Sequence, residues 1–210
     1  MKNLEVEIRG PLTKQKFIQM KQYLSQKAKF IKNYKRLSLM YFSKKIPKNV
    51  NQIKNEKIDL RIRITDGHPE LMLKYGNWSG SDIREESAIN IQKNQLRIAI
   101  KVLKYLGWHI VVAYGTVSYI YFYKNIEFKL VEIKDYGFFY EAEILTNKMN
   151  TEKAMKNIQH VINTMGLKEF KTGEFEKQCN DINNQPKFQF NFMREKDFIR
   201  LKKQFKKFLK

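Results

Sequence analysis

Residues Asn3 to Arg9 alternate with a period of two: Leu4, Val6 and Ile8 share one face, and Glu5, Glu7 and Arg9 share the other. Two carboxylates on one face of a strand stand about 7 Å apart along the backbone, so each raises the cost of ionising the other unless a cation lies between them. That spacing suits a divalent metal ion; the alternative is the solvated face of an edge strand. The pattern returns far along the chain in Phe139 to Leu145, where Glu141 and Glu143 share a face. Strands of opposite charge lie between the two copies: Arg61 and Arg63 alternate with Leu60, Ile62 and Ile64, Lys74 closes Leu71 to Tyr75, and Arg84 and Glu86 share one side of a further strand. Acids on the first and late strands, with bases between, predict a closed sheet whose lumen holds a polyanion and its metal ions.

In order, Glu-x-Glu-x-Arg at residues 5–9, Leu-Arg-Ile-Arg at 60–63, Leu-Met-Leu-Lys-Tyr-Gly at 71–76, Arg-Glu-Glu at 84–86 and Gly-Phe-Phe-Tyr-Glu-Ala-Glu at 137–143 resemble the CYTH superfamily of triphosphate tunnel metalloenzymes. That superfamily includes class IV adenylate cyclases, thiamine triphosphatases and inorganic tripolyphosphatases. The resemblance spans residues from about 3 to about 181, with Gly173-Glu174-Phe175-Glu176 similar to the family's C-terminal helix. It implies an α+β fold, an eight-stranded antiparallel β-barrel forming a triphosphate tunnel with flanking helices. It also implies Mg²⁺ or Mn²⁺ as cofactor, held by the hard oxygens of Glu5, Glu7, Glu141 and Glu143. Arg9, Arg61, Arg63, Lys74 and Arg84 become the phosphate contacts. For Arg84 and Glu86 an exposed cross-strand ion pair is the competing reading.

The length of 210 residues suits one domain of good size. Lys and Arg number 41 against 21 acids, a net charge of +20 that favours a polyanionic partner, although the richness in Lys, Asn and Ile discounts it as a sign of nucleic acid. Cys179 is alone, which excludes an internal disulfide and fits a reducing compartment. The chain opens into a charged strand without a secretory layout, and its most apolar run, Trp108 to Tyr123, is broken by Gly115 and rich in β-formers. A cytoplasmic protein without a transmembrane segment is expected.

Thr13 caps a predicted helix with Phe17, Met20 and Leu24 inward, and a second strand is predicted over 37–42. The Lys-rich stretch 44–57 reads as a loop. Leu96, Ala99, Ile100, Leu103 and Leu106 make a helical stripe ended at Gly107, strands run over 109–123 and 126–133 about a Lys124-Asn125 turn, and a helix from Thr151 ends at Gly166. Trp78 lies in a loop, either to stack on an organic substrate group or to pack on a rim. The break Asn183-Asn184-Gln185-Pro186 divides a tunnel domain, 1–183, from a segment, 184–210, with a basic amphipathic helix over 194–210; deletion of residues 187–210 is expected to leave the barrel folded. The stripe Phe198, Leu201, Phe205 and Phe208 offers docking on the barrel, on a sister chain as a homodimer, or on an anionic surface.

This chain departs from the family's pattern inside the barrel. Ala113-Tyr114-Gly115-Thr116-Val117 carries no base where the family shows Lys-x-Arg, and Val131 stands where an aspartate is usual. Glu127 and Lys129 share the strand face of Val131 and are accessory candidates. The expected function is metal-dependent hydrolysis of inorganic tripolyphosphate or of a nucleoside or thiamine triphosphate, a reaction on a phosphoric anhydride. The alternatives are a polyphosphate- or nucleotide-binding module without turnover, and an RNA 5′-triphosphatase.

Overall fold

A computed structural model of the chain describes residues 4–76 and 85–209. In order, the elements are β1 (Leu4–Leu12), α1 (Lys14–Lys27), β2 (Lys29–Phe42), α2 (Val50–Asn55), β3 (Ile58–Thr65), β4 (His68–Tyr75), β5 (Glu85–Asn90), α3 (Leu96–Tyr105), β6 (Ile110–Tyr123), β7 (Ile126–Ile133), β8 (Gly137–Thr146), α4 (Thr151–Thr164), α5 (Glu174–Asn184), β9 (Gln189–Asn191) and α6 (Glu195–Gln204). Strands follow the order β1-β8-β7-β6-β2-β3-β4-β5, with β9 added on β6. This is the expected eight-stranded antiparallel α+β sheet with flanking helices. Its ends are β1 and β5, so hydrogen bonds among the described residues do not close the sheet into the expected ring. Arg84 and Trp78 lie outside the described residues.

Two local expectations change. β2 starts at Lys29 rather than at residue 37, because its first half is exposed and carries no buried alternation to read. Within 44–57 the chain forms the short helix α2, where the Asn49 side chain accepts from the Gln52 amide at 3.0 Å.

The chain forms two compact units. The first holds residues 1–34 and 116–172, the second residues 35–115 and 173–210. In the first unit α1 and α4 cover one face of β1, β8 and β7. Thr13 accepts from the Lys16 amide at 3.1 Å, which starts α1 in the phase that buries Phe17, Met20 and Leu24 against Val6, Ile8, Phe128 and Ala142. α4 adds Ala154, Ile158, Val161 and Ile162 to the same core. Lys124 and Asn125 both take positive φ, 50° and 62°, as a two-residue hairpin turn requires.

At Gly10 the chain segment after α4 approaches β1 closely: a Cβ there would stand 1.9 Å from the Lys168 carbonyl oxygen and 2.5 Å from the Tyr140 ring. The Tyr140 hydroxyl donates to that same carbonyl at 3.1 Å, and the Phe170 amide donates to the Arg9 carbonyl at 2.9 Å. Gly10→Ala must therefore move backbone. It is expected to cost about 3 kcal/mol and to lower the melting temperature by roughly 6–12 °C. Thermal denaturation checks this, and an unchanged melt would show that the approach is not fixed.

In the second unit Leu37, Leu39, Tyr41, Ile62 and Ile64 form the apolar face of β2 and β3. Ile100 and Leu103 of α3 are buried, whereas Leu106, expected in the same stripe, is exposed beyond the end of the helix. Residues 184–210 contribute much of this unit. β9 pairs with β6 through Ile110–Asn191, Val111–Phe190 and Val112–Gln189, and Phe188, Phe190, Phe192, Leu201, Phe205 and Phe208 are all buried. The expected helix over 194–210 is α6 with a further helical turn at 206–208. The Phe208 ring lies against Gly115, where a Cβ would stand 2.6 Å from it. The predicted stripe is thus docked on the chain itself, with Phe198 on Phe192 at 5.8 Å.

Candidate functional site

In the first unit, Glu7, Glu143 and Glu127 form one row across β1, β8 and β7, and Arg9, Glu141 and Lys129 form the next. Antiparallel partners directly opposite one another point to the same face, so the two rows make one charged patch on the face away from α1 and α4. Glu5 lies diagonal to Glu143 and shares a side-chain hydrogen bond with it. Five carboxylates therefore face two cations on these three strands.

The two rows differ in electrostatics. Glu141 sits between Arg9, at 3.2 Å, and Lys129, which donates to it. Burial works against its charge, but the two cations hold its carboxyl below the usual range. Arg9 also forks onto Glu7, with Nε and Nη2 at 2.6 and 2.7 Å from the two carboxylate oxygens. Glu7 is nevertheless pushed up to about 7, by burial and then by the charge of Glu141. Glu143 is pushed up to about 8, by burial and then by Glu5 and Glu127. The Glu7–Glu143–Glu127 row has no cation of its own and is reached by Arg9 through Glu7.

The second unit holds Arg61, Arg63 and Lys74 of the expected phosphate cations, each beside an acid. Arg61 repeats the geometry of Arg9: Nε and Nη2 both stand 2.6 Å from the oxygens of Asp59, two residues back on β3. Burial would lower the Arg61 pKa, and Asp59 more than offsets it, so the pair stays ionised out of water. Tyr114 of β6 is close to this pair and hydrogen-bonds Ser38; burial raises its pKa. Arg63 Nε stands 2.9 Å from Glu70, and its Nη2 stands 3.2 Å from Glu86. Lys74 reaches Glu86 at 2.7 Å. Burial opposes the Glu86 charge, but the Lys74 hydrogen bond, with Arg63, keeps its carboxyl low.

The family model of the CYTH domain matches residues 3–173. The chain belongs to the CYTH family. Solved structures repeat its fold at low identity. The PH1012 protein of Pyrococcus horikoshii OT3 superposes with a TM-score of 0.58 at 21% identity, covering 79% of this chain and 92% of that one. A candidate adenylate cyclase of Vibrio parahaemolyticus gives 0.58 at 15%, covering 85% and 99%. HpAC1 of Hippeastrum, a candidate adenylyl cyclase with a dominant triphosphatase activity, gives 0.57 at 16%, covering 82% and 91%. No curated protein matches.

CYTH members generally take divalent metals, and the first unit offers chemistry suited to one. Its donors are carboxylate oxygens, and the raised carboxyls of Glu7 and Glu143 mark a deficit that a hard cation would relieve. Among the described residues no three such groups already converge as a ligand set. Glu141, expected with the metal ligands, is ion-paired with Arg9 and Lys129. Glu127 and Lys129 stand in the two rows as the strand period required. Val131 is buried beyond them. Asp59, Ser38 and Tyr114 were missed by sequence reasoning. For Asp59 the signal was present, since Asp59-Leu60-Arg61 repeats the acid-x-Arg of Glu7-Ile8-Arg9.

Proposed function

We propose that this CYTH protein hydrolyses a triphosphate with the help of Mg²⁺ or Mn²⁺. The Glu7–Glu143–Glu127 row, three carboxyls without a cation of their own beside the row Arg9–Glu141–Lys129, carries the reading. The triphosphatase activity reported for HpAC1, which shares the fold, is consistent with it. Glu5, Glu7 and Glu143, with Glu127, would hold the metal, which would supply charge neutralisation on the phosphoryl oxygens. Arg9 and Lys129 would contact the phosphates. Glu141 acts through them as a positioning residue: its carboxylate stays ionised and holds both cations beside the row. In the second unit Arg61, Arg63 and Lys74 would bind phosphate oxygens by exchanging their carboxylate partners for the ligand; Arg84 keeps its assignment as a phosphate contact on the resemblance alone.

The pairing in that unit favours a second reading, a polyphosphate- or nucleotide-binding module without turnover. Arg61 is held by Asp59, and Arg63 and Lys74 by Glu70 and Glu86, while Tyr114 and its neighbours supply no further base. Phosphate release from tripolyphosphate, ATP, thiamine triphosphate and 5′-triphosphate RNA, each with Mg²⁺ and with Mn²⁺, separates the readings. Release from at least one substrate, lost on chelation, is the expected result. Binding of tripolyphosphate without release from any would establish the module, and neither binding nor release would refute both.

A further inference from the structure

α3 is apolar on more than the side it buries. Around the helix, Ile100 and Leu103 face the second unit's core, Arg97, Lys101 and Lys104 follow on the next sector, and Ile98, Val102 and Tyr105 occupy the one after, continued by Leu106 just past the helix end. These last four are exposed by 51–73%. Single exposed apolar side chains are ordinary, but three on one sector of a ten-residue helix, with a fourth just past its end, are a patch. The Lys101 and Lys104 ammonium groups both lie within 6 Å of the Tyr105 ring centroid, at 5.9 and 5.8 Å, so the ring joins the basic sector to the apolar one.

The neighbouring surface continues the basic sector. Between α3 and α6 of the same unit lies an open groove of about 160 Å³, with Leu39 and Ile64 as its floor and Ile100 and Leu201 on its sides. Lys93, Arg97 and Lys202 line it as well, and no acidic residue does. The chain has no acid anywhere between Glu86 and Glu127.

We propose that the outer face of α3 docks on an anionic lipid bilayer, with Ile98, Val102 and Leu106 entering the headgroup boundary and the flanking Arg97, Lys101 and Lys104 meeting lipid phosphates. Charge complementarity selects this occupant. A second copy of the chain would set cations against cations across the contact, in a protein of net charge +20. Nucleic acid would use the cations but leave the aliphatic sector without a partner. An anionic bilayer satisfies both sectors together.

The test is sedimentation of the full chain with vesicles of phosphatidylcholine alone and of phosphatidylcholine mixed with phosphatidylglycerol, at low and high salt. Binding to the mixed vesicles at low salt, weakened at high salt and absent from the neutral vesicles, is expected. Ile98→Glu with Val102→Glu should reduce that binding about tenfold or more, and Lys101→Gln with Lys104→Gln by several-fold, with melting temperatures little changed because Ile98, Lys101 and Val102 are exposed and Lys104 is only half-buried. Binding equal in all variants, or no preference for the anionic vesicles, overturns the proposal. Light scattering supplies the rival outcome: a dimer that Ile98→Glu and Val102→Glu convert to monomers would assign the face to self-association. Phosphate release is read separately, since none of these residues belongs to the charged rows.

Discussion

A chain ended after Pro186 is expected to lose the cooperative unfolding of its second unit. The removed segment carries Phe188, Phe190, Phe192, Leu201, Phe205 and Phe208, each no more than 5% exposed. At about 1.5–3 kcal/mol for each buried apolar side chain, these six contribute roughly 10 kcal/mol or more, comparable with the whole stability of an ordinary domain at about 5–15 kcal/mol. The loss also strips β9 from β6 and uncovers Gly115, Tyr41 and the groove floor. Denaturant unfolding followed by near-ultraviolet circular dichroism checks this. A truncated chain that unfolds in one transition at the wild-type midpoint would show instead that residues 187–210 are an appendage, as the Pro186 break suggests on its own.

That contrast shows what the sequence could carry. The strands around the charged rows were legible because one face of each is buried and the period of two is strict: Val6, Ile8 and Ala142 go under α1 and α4, and the charges are left on the other side. The helices α1 and α4 were legible from the same burial at a helical period. The first half of β2 was not, since Lys29 to Asn33 are exposed on both faces and no pattern marks them. The tail was legible only in part, for a different reason. Its Phe spacing is that of any amphipathic helix, and periodicity names the face that is buried without naming the surface that buries it. At the candidate site, the partner of Arg61 was readable as Asp59 from a repeated acid-x-Arg. That Glu141 belongs with Arg9 and Lys129, and Glu7 with Glu143 and Glu127, depends on a register that joins β1 to strands more than a hundred residues further along the chain.

That register supports the prediction with the most direct bearing on function: without divalent cations the protein should become less stable as pH rises from about 6 to about 8.5, and Glu7→Gln with Glu143→Gln should abolish the trend. The carboxyls of Glu7 and Glu143 are raised from 4.5 to about 7 and about 8 in the folded chain. Between the unfolded value and those folded values the folded chain holds more protons than the unfolded one, so stability is greatest toward the low end of the window and declines as pH rises through about 7 and 8. Losing each proton costs on the order of 2–3 kcal/mol, because the charge develops in a buried row already occupied by acids. Coupling within the row makes the combined fall smaller than twice that, roughly 5–10 °C in melting temperature. Neutral amides do not titrate, so the double variant should melt above wild type at the upper pH while Arg9 keeps its contact with Glu141. Glu141→Gln should do the opposite. Its carboxyl is held low by Lys129 and Arg9, and its removal leaves Lys129 and part of the Arg9 fork without their anion, lowering stability at every pH above the carboxylate range. Mg²⁺ or Mn²⁺ should restore wild-type melting at the upper pH and leave the double variant unmoved. Melting curves of the three proteins, with and without metal, distinguish a cation site from a scaffold of ion pairs. If Glu7 and Glu143 were scaffold, the double variant would melt lower than wild type at both ends of the range, and metal would shift none of the three.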